Sequence, residues 1–521
     1  MRFGLFYEHQ LPRPWAEGAE GDLLRNALDQ IELADKAGFD CVWEVEHHFL
    51  EEYSHSSAPE VFLAAASQRT SRIRLGHGIV QLPPSFNHPA RVAERIATLD
   101  LLSDGRVDFG TGESSSQMEL GGFGIPRAQK RAQWAEALDV ITRMMVEEPF
   151  AGHEGEFVSF PVRNVVPKPQ QKPHPPLWVA CSRRETILLA GRKGLGALSF
   201  SFVEPEQAKE WVDQYYSLIE SDECVPAGFA VNPNLAVVVP LMCHEDEEEA
   251  IQRGIDGGHF FGYSLAHYYV FGEHRPAKTN VWEEFEHHRT EHGFAREIIS
   301  ADSGELGMKL LEQGLGSMRG AVGTPKQIID LIERYEAAGV DQIIFVAQSG
   351  KNDHEHVCES LELFGKEVMP RFAEAADERD ESKRQRLAEA CERALARREP
   401  ARGVEDTYVV TSEGEGSPAR PMILVAGDAA ESGEDSLEAA FLAELTNKTD
   451  AQLEDLADSG PVLQVIFDNM ADRFEPEYAR GFSGAIQHEL GPHQWVVYVE
   501  GDRAHAAAGR AENPAVTVRT T

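Results

Sequence analysis

At 521 residues the chain is longer than one hydrophobic core usually organises, so two domains are expected. A formal net charge of −38 argues against a nucleic-acid partner, because binding that polymer relies on Lys and Arg to neutralise phosphates. The hydrophobic share of 42% and charged share of 26%, with no run of about 18 apolar residues, fit an ordinary globular protein without a membrane span.

The opening segment MRFGLFYEHQLPRPW lacks the basic and apolar regions of a secretion signal. Cys41, Cys181, Cys224, Cys243, Cys358 and Cys391 are scattered, as reduced thiols would be. Both features point to the cytoplasm. From residue 1 to about 370, short β-branched or aromatic runs alternate with longer helical patterns, the signature of repeated βα units. The predicted strands are Arg2 to Tyr7, Asp40 to Val45, Ile73 to Val80, Val107 to Gly112, Leu177 to Cys181, Ala197 to Phe200, Leu235 to Leu241 and Gln342 to Ala347. Eight parallel strands imply an α/β fold closed as a TIM (β/α)8 barrel. Its covering helices would include Leu23 to Lys36, Pro59 to Arg69, Ala90 to Leu102 and Gln327 to Ala338, the last stopped by Gly339.

Two insertions break this rhythm. The Pro- and Gly-rich stretch from about 150 to 176 reads as an ordered loop. The stretch from about 250 to 320 contains GGHFFGYSLAHYYVFGEHRP and reads either as a lid or substrate wall or as a packed subunit interface. The barrel is assigned to residues 1–372. An Ala-, Arg- and Glu-rich run leading into TSEGEGSPARP forms a solvated helical connector and linker over 373–435. A smaller α+β domain follows over 436–521.

Barrel enzymes carry their chemistry at the C-terminal ends of strands. The second strand ends in DCVWEVEHHF, where alternation puts Glu46 and His48 on one side and His47 on the other. An imidazole there can exchange a proton near neutrality. A polar strand end with hydrogen-bonded histidines accounts for the motif equally well.

In order and spacing, MRFGLFYEHQLP, AGFDCVWEVEHHF, IRLGHGIVQLPPSFNHPARVAERIATLDLLSDGRVDFGTGE and PPLWVACSRRETILLAGRKGLGALSFS resemble the luciferase-like monooxygenase family, nearer its bacterial luciferase branch. The resemblance implies reduced FMN, molecular oxygen and a flavin peroxide, with deazaflavin (F420) as the alternative cofactor. It makes His47 the catalytic histidine, with Glu46 supporting it or lining the flavin site. Gly78 becomes the point where backbone approaches the ring, with strain or a cis peptide at His77–Gly78. Ala180, Cys181 and Ser182 become the cofactor-contacting segment, whose following helix start would cradle the phosphate, and Arg131 becomes a phosphate ligand. Where the luciferases carry a reactive cysteine and an arginine, this sequence has Gly112 and Glu113, which counts against light emission and aldehyde use. Arg183 or Arg184 would compensate for the missing arginine.

The absence of a G-x-G-x-x-G after the first strand favours a two-component system in which a separate flavin reductase supplies the reduced FMN and this chain oxidises a hydrophobic organic substrate. A metal-dependent hydrolase would need His-x-His at the end of the first strand, which Glu8 and His9 do not supply, so no metal is expected. A non-enzymatic carrier is disfavoured by the EHH and ACSRRE segments. The C-terminal segment, through FEPEYARGFSGAIQHEL, Trp495 and GRAENPAVTV, resembles a sterol-carrier-protein domain, implying a lipid ligand or a structural, dimerising role. Family resemblance also implies a homodimer.

Overall fold

The computed structural model describes residues 1–199, 205–292, 294, 319–404, 408, 410–411, 414–415, 463–464, 466–468, 471, 474, 482–490, 493–501 and 503–520. The end of the predicted sixth strand at Phe200, residues 295–318 of the second insertion and residues 416–462 of the linker and second domain lie outside them. Contacts divide the chain into two compact units, Met1–Tyr408 and Val409–Thr521.

In the first unit, eight parallel strands close into a barrel: β1 (Arg2–Tyr7), β2 (Cys41–Glu44), β3 (Arg74–His77), β4 (Val107–Gly112), β5 (Leu177–Cys181), β6 (Gly196–Ser199), β7 (Leu235–Cys243) and β8 (Gln342–Val346). Closure is visible where β7 pairs with β6 through Leu235↔Ala197 and with β8 through Ala236↔Gln342. The eight predicted strands are these eight. Nearly every residue in them is buried, as helices on the outside and side chains within require. A short continuation, Val80–Gln81, carries the line of β3 onward beside β4. The chains of β3 and β4 come so close that a Cβ on Gly110 would lie 1.9 Å from the carbonyl oxygen of His77.

The covering helices are α1 (Ala19–Ala37), α2 (Pro59–Arg69), α3 (Pro89–Leu102), α4 (Gln117–Gly122), α5 (Lys130–Val146), α6 (Arg184–Arg192), α7 (Pro205–Glu220), α8 (Glu247–Ala266), α9 (Val281–His288), α10 (Pro325–Ala337), α11 (His354–Leu363) and α12 (Pro370–Leu395). Gly339, at φ +87°, follows α10 as predicted. The first insertion contains a small ribbon, His153–Glu154 against Ser159–Phe160.

Three expectations need correction. The stretch from about 250 does not break the βα rhythm at its start: Asp246 caps α8, the helix that follows β7, which continues through a π-helical turn over His267–Phe271. Its glycines obscure the helical pattern because glycine is a poor helix former, yet they permit close packing. A Cβ on Gly257 would lie 2.6 Å from the carbonyl oxygen of Ser349.

Residues 370–395 are not a solvated connector. Phe372, Ala376, Leu387, Ala390 and Ala394 are buried, and Arg2 at the start of β1 pairs with Asp377 (2.6 Å) and Asp380 (2.8 Å). Lys383 reaches Asp341, just before β8, at 2.8 Å. Helix α12 therefore lies against the N-terminal strand ends and belongs to the first unit.

The His77–Gly78 peptide is not cis, since the cis bonds among the described residues are Arg13–Pro14, Glu148–Pro149, Val166–Pro167 and Lys172–Pro173. Gly78 also avoids the left-handed region; its N–H donates to Glu44 O at 2.6 Å, which holds the chain in line. Left-handed backbone occurs instead at His9 (φ 53°), Phe49 (φ 66°) and Ser114 (φ 59°), in the segments that follow β1, β2 and β4.

The second unit contains a four-stranded sheet in the order 503–508, 493–500, 484–490, 516–520, its last pair parallel and the others antiparallel. Phe467 stacks on Trp495 at 5.2 Å, with Leu463 and Val497 completing a small core. No helix among the described residues is long and apolar enough to cross a membrane.

Candidate active site

The segments leaving the C-terminal ends of β1 to β5 surround a cavity of about 670 Å³. Glu8 follows β1, His47 follows β2, Gly78, Ile79 and Gln81 follow β3, Glu113 to Ser115 follow β4, and Ser182 and Arg183 follow β5. Phe261, Leu265 and Ala266 of α8, with Tyr269 and Val270 beyond it, form an apolar wall. Of the two readings of the stretch beginning near residue 250, a substrate wall or a subunit interface, these residues fit the wall.

On the β1–β2 side the site is built around His47. Its Nδ1 lies 3.0 Å from Glu119 Oε1, and its Nε2 lies 3.6 Å from Glu8 Oε2, an ion-pair distance longer than a hydrogen bond. Burial disfavours the imidazolium, but the carboxylates of Glu119 and Glu8 outweigh it and raise the pKa of His47 to about 9. Glu119 projects from α4, fully buried. It also accepts from His48 N (3.0 Å), Gln81 Nε2 (2.8 Å) and Ser114 Oγ (3.0 Å); against burial, the charge and hydrogen bond of His47, helped by the bonds from His48 and Gln81, hold its carboxyl below the usual range.

Glu8 accepts from Tyr53 Oη at 2.8 Å through Oε1, whereas Oε2 is buried without a hydrogen bond. Burial pushes its pKa up to about 7. The segment around Glu8 is tied down by Gln10, which donates to Ser264 Oγ (3.0 Å) and accepts from Gly350 N (2.9 Å).

The opposite side, by strand order, is cationic. Arg127, Lys130 and Arg131, after β4, and Arg183 at the start of α6 all line the cavity. Arg131 makes a bidentate pair with Glu113 (2.9 and 2.8 Å), and Lys130 lies 3.3 Å from the same carboxylate. Arg184, offered as an alternative to Arg183, is directed elsewhere, donating to Gln214 at 2.8 Å.

Of the residues singled out from sequence, His47, Gly78, Arg131, Ala180 and Ser182 line the cavity together. Cys181 does not; it is fully buried, with its thiol donating to Val179 O at 3.4 Å. Glu46 is also turned away from the cavity. It accepts from Gln81 N (2.7 Å) and Asn87 Nδ2 (2.7 Å) and lies 3.2 Å from His48 Nε2, so it braces the loops behind His47. The sequence alone raises Glu8 only against a metal-ligand set and points to neither Glu119 nor Tyr53. The available signal for Glu119 was a carboxylate in the apolar turn QMELGGF just after a strand end. Among the described residues no cluster suited to a metal ion occurs.

Residues 1–342 match the family model described as luciferase-like monooxygenase. The chain is 26% identical over 388 residues to the oxygenase component of flavin-dependent trigonelline monooxygenase from Acinetobacter baylyi, covering 73% of this chain and 98% of that protein. It is 29% identical over 360 residues to 4-hydroxyprotoasukamycin monooxygenase from Streptomyces nodosus subsp. asukaensis, covering 67% and 87%. Among solved structures it is similar to monooxygenase RslO1 from Streptomyces bottropensis, with a TM-score of 0.56, 26% identity, and 71% and 100% coverage.

Proposed function

The chain belongs to the luciferase-like monooxygenase family and is an oxidoreductase, and on that premise we propose that it takes reduced FMN from a separate reductase and, with molecular oxygen, oxidises a hydrophobic organic substrate. The observation that carries this reading is one cavity with a cationic rim on the β4–β5 side and a buried imidazole–carboxylate cluster on the β1–β2 side.

The residues present fit a ring joined to a phosphate. Arg127, Lys130, Arg131 and Arg183 would hold the phosphate dianion, aided by the N-terminal N–H groups of α6. Gly78 and Gly112 line the same cavity and put backbone rather than side chain at its wall. When bound, reduced flavin supplies the electrons for oxygen activation. His47, charged at neutral pH and fixed by Glu119, stabilises negative charge that develops beside it. Tyr269, Phe261 and Leu265 exclude water and receive the apolar part of the substrate.

The test is binding of oxidised and reduced FMN against F420, followed anaerobically by fluorescence in the wild type and in Arg131→Ala. FMN binding that weakens in the variant supports the reading. Binding of F420 alone would move the protein to hydride transfer, and binding of neither would refute a flavin-type cofactor.

A further inference from the structure

Building on the flavin reading of this cavity, we propose that Glu8 is the residue that exchanges a proton with the molecule bound beside His47, because it lines the cavity with Oε1 held by Tyr53 while Oε2, 3.6 Å from His47 Nε2, has no hydrogen-bond partner.

His47 is poorly suited to that task in this chain. Its Nδ1 is committed to Glu119, and two carboxylates keep it charged well past neutrality. It acts as a fixed cation. Glu8 differs in every respect that matters. It is 2% exposed, its carboxyl group titrates at about 7, and its orientation is fixed by the adjacent left-handed residue His9 and by the bonds of Gln10. The charged and titratable groups facing it are His47, Tyr53, Glu44, Glu119 and, from the wall, Tyr269. His47 and the Tyr53 hydroxyl favour its ionised form, whereas burial, Glu44 and Glu119 oppose it. A carboxyl group balanced in this way has both protonation states available near neutral pH, the condition for efficient general acid–base work.

The step is a plain proton transfer. As acid, Glu8 breaks its O–H bond and the proton passes to an acceptor atom of the bound molecule, leaving the carboxylate beside the His47 imidazolium. As base it takes a proton from an O–H or N–H group of the bound molecule, whose electron pair stays on that atom. The substrate class implied is an apolar molecule with such a group near its reacting end.

The experiment is an infrared titration of the full-length protein, reading the carboxylic C=O band with and without oxidised FMN. The wild type should show a buried carboxyl group with a midpoint at about 7. Glu8→Gln should lose that band, while Tyr53→Phe, lacking the hydroxyl that favours the ionised form, should raise its midpoint. Bound FMN should shift the midpoint in the wild type. The proposal is overturned if the band survives in Glu8→Gln, or if FMN binds and leaves the midpoint unmoved. Circular dichroism of Tyr53→Phe checks folding independently of the infrared signal. Should FMN fail to bind the wild type, the flavin reading fails, and the titration of the unliganded protein alone decides the assignment of Glu8.

Discussion

Replacing Glu119 by Gln removes the negative charge that does most to keep His47 protonated. The rise in the pKa of His47 from 6.5 to about 9 corresponds to roughly 3 kcal/mol of preference for the imidazolium in the folded protein. Glu119 is the strongest of the opposing charges, ahead of Glu8, so Glu119→Gln should lower the midpoint by about 2 units. The same shift fixes a stability signature. Because the folded pKa lies above the unfolded one, the stabilisation is complete below pH 6.5 and is lost as pH rises through about 9. Glu8 acts in the same sense in a lower window, between 4.5 and about 7, so the comparison is cleanest above neutrality. Imidazole NMR of the wild type and Glu119→Gln, with denaturant unfolding at pH 7.5 and 9.5 as about the right window, measures both. A His47 midpoint that stays near 9 in the variant would refute the electrostatic account.

Three further outcomes are expected. Arg131→Ala should weaken FMN binding by about 10- to 100-fold but leave riboflavin binding nearly unchanged, since the guanidinium is assigned to the phosphate; equal losses for both ligands in a calorimetric titration would contradict that assignment. Gly110→Ala would force a methyl group onto the His77 carbonyl and should destabilise the barrel by about 3 kcal/mol or more, seen as a lowered Tm; a change under about 1 kcal/mol would mean the strands yield easily. Leu387→Ala, in the buried face of α12, should cost about 2 to 4 kcal/mol and expose 370–395 to limited proteolysis; unchanged protection would show that the ion pairs alone hold the helix.

The barrel was legible because strands buried on both faces appear as continuous apolar runs, and Val107–Gly112 and Leu177–Cys181 agree with expectation to the residue. Helix α8 was obscured because local propensity argues against a glycine-rich helix, while the close approach to Ser349 that favours glycine is a tertiary fact. Helix α12 is hidden in the sequence for a related reason. Its sparse apolar positions look solvated until Asp341, Asp40 and Arg2, distant in sequence, are gathered at one end of the barrel. At the site, His47 could be found because the EHH segment and its neighbours resemble the luciferase-like family, whose catalytic histidine falls at that position. Glu119, 72 residues away, completes the cluster only through folding.

Glu113 gives the cationic rim an internal counterion. With no ligand bound, two of the rim's positive charges already have a carboxylate partner, so the rim is a weaker trap for stray small anions than its composition indicates. An incoming dianion must compete with a tethered rival that pays almost no entropy to return. Inorganic phosphate has only its charge to offer in that exchange, whereas a phosphate tethered to a ring that fills the rest of the cavity brings additional binding energy. The replacement of an arginine by a glutamate would then act as a threshold, favouring the intact cofactor over its fragments.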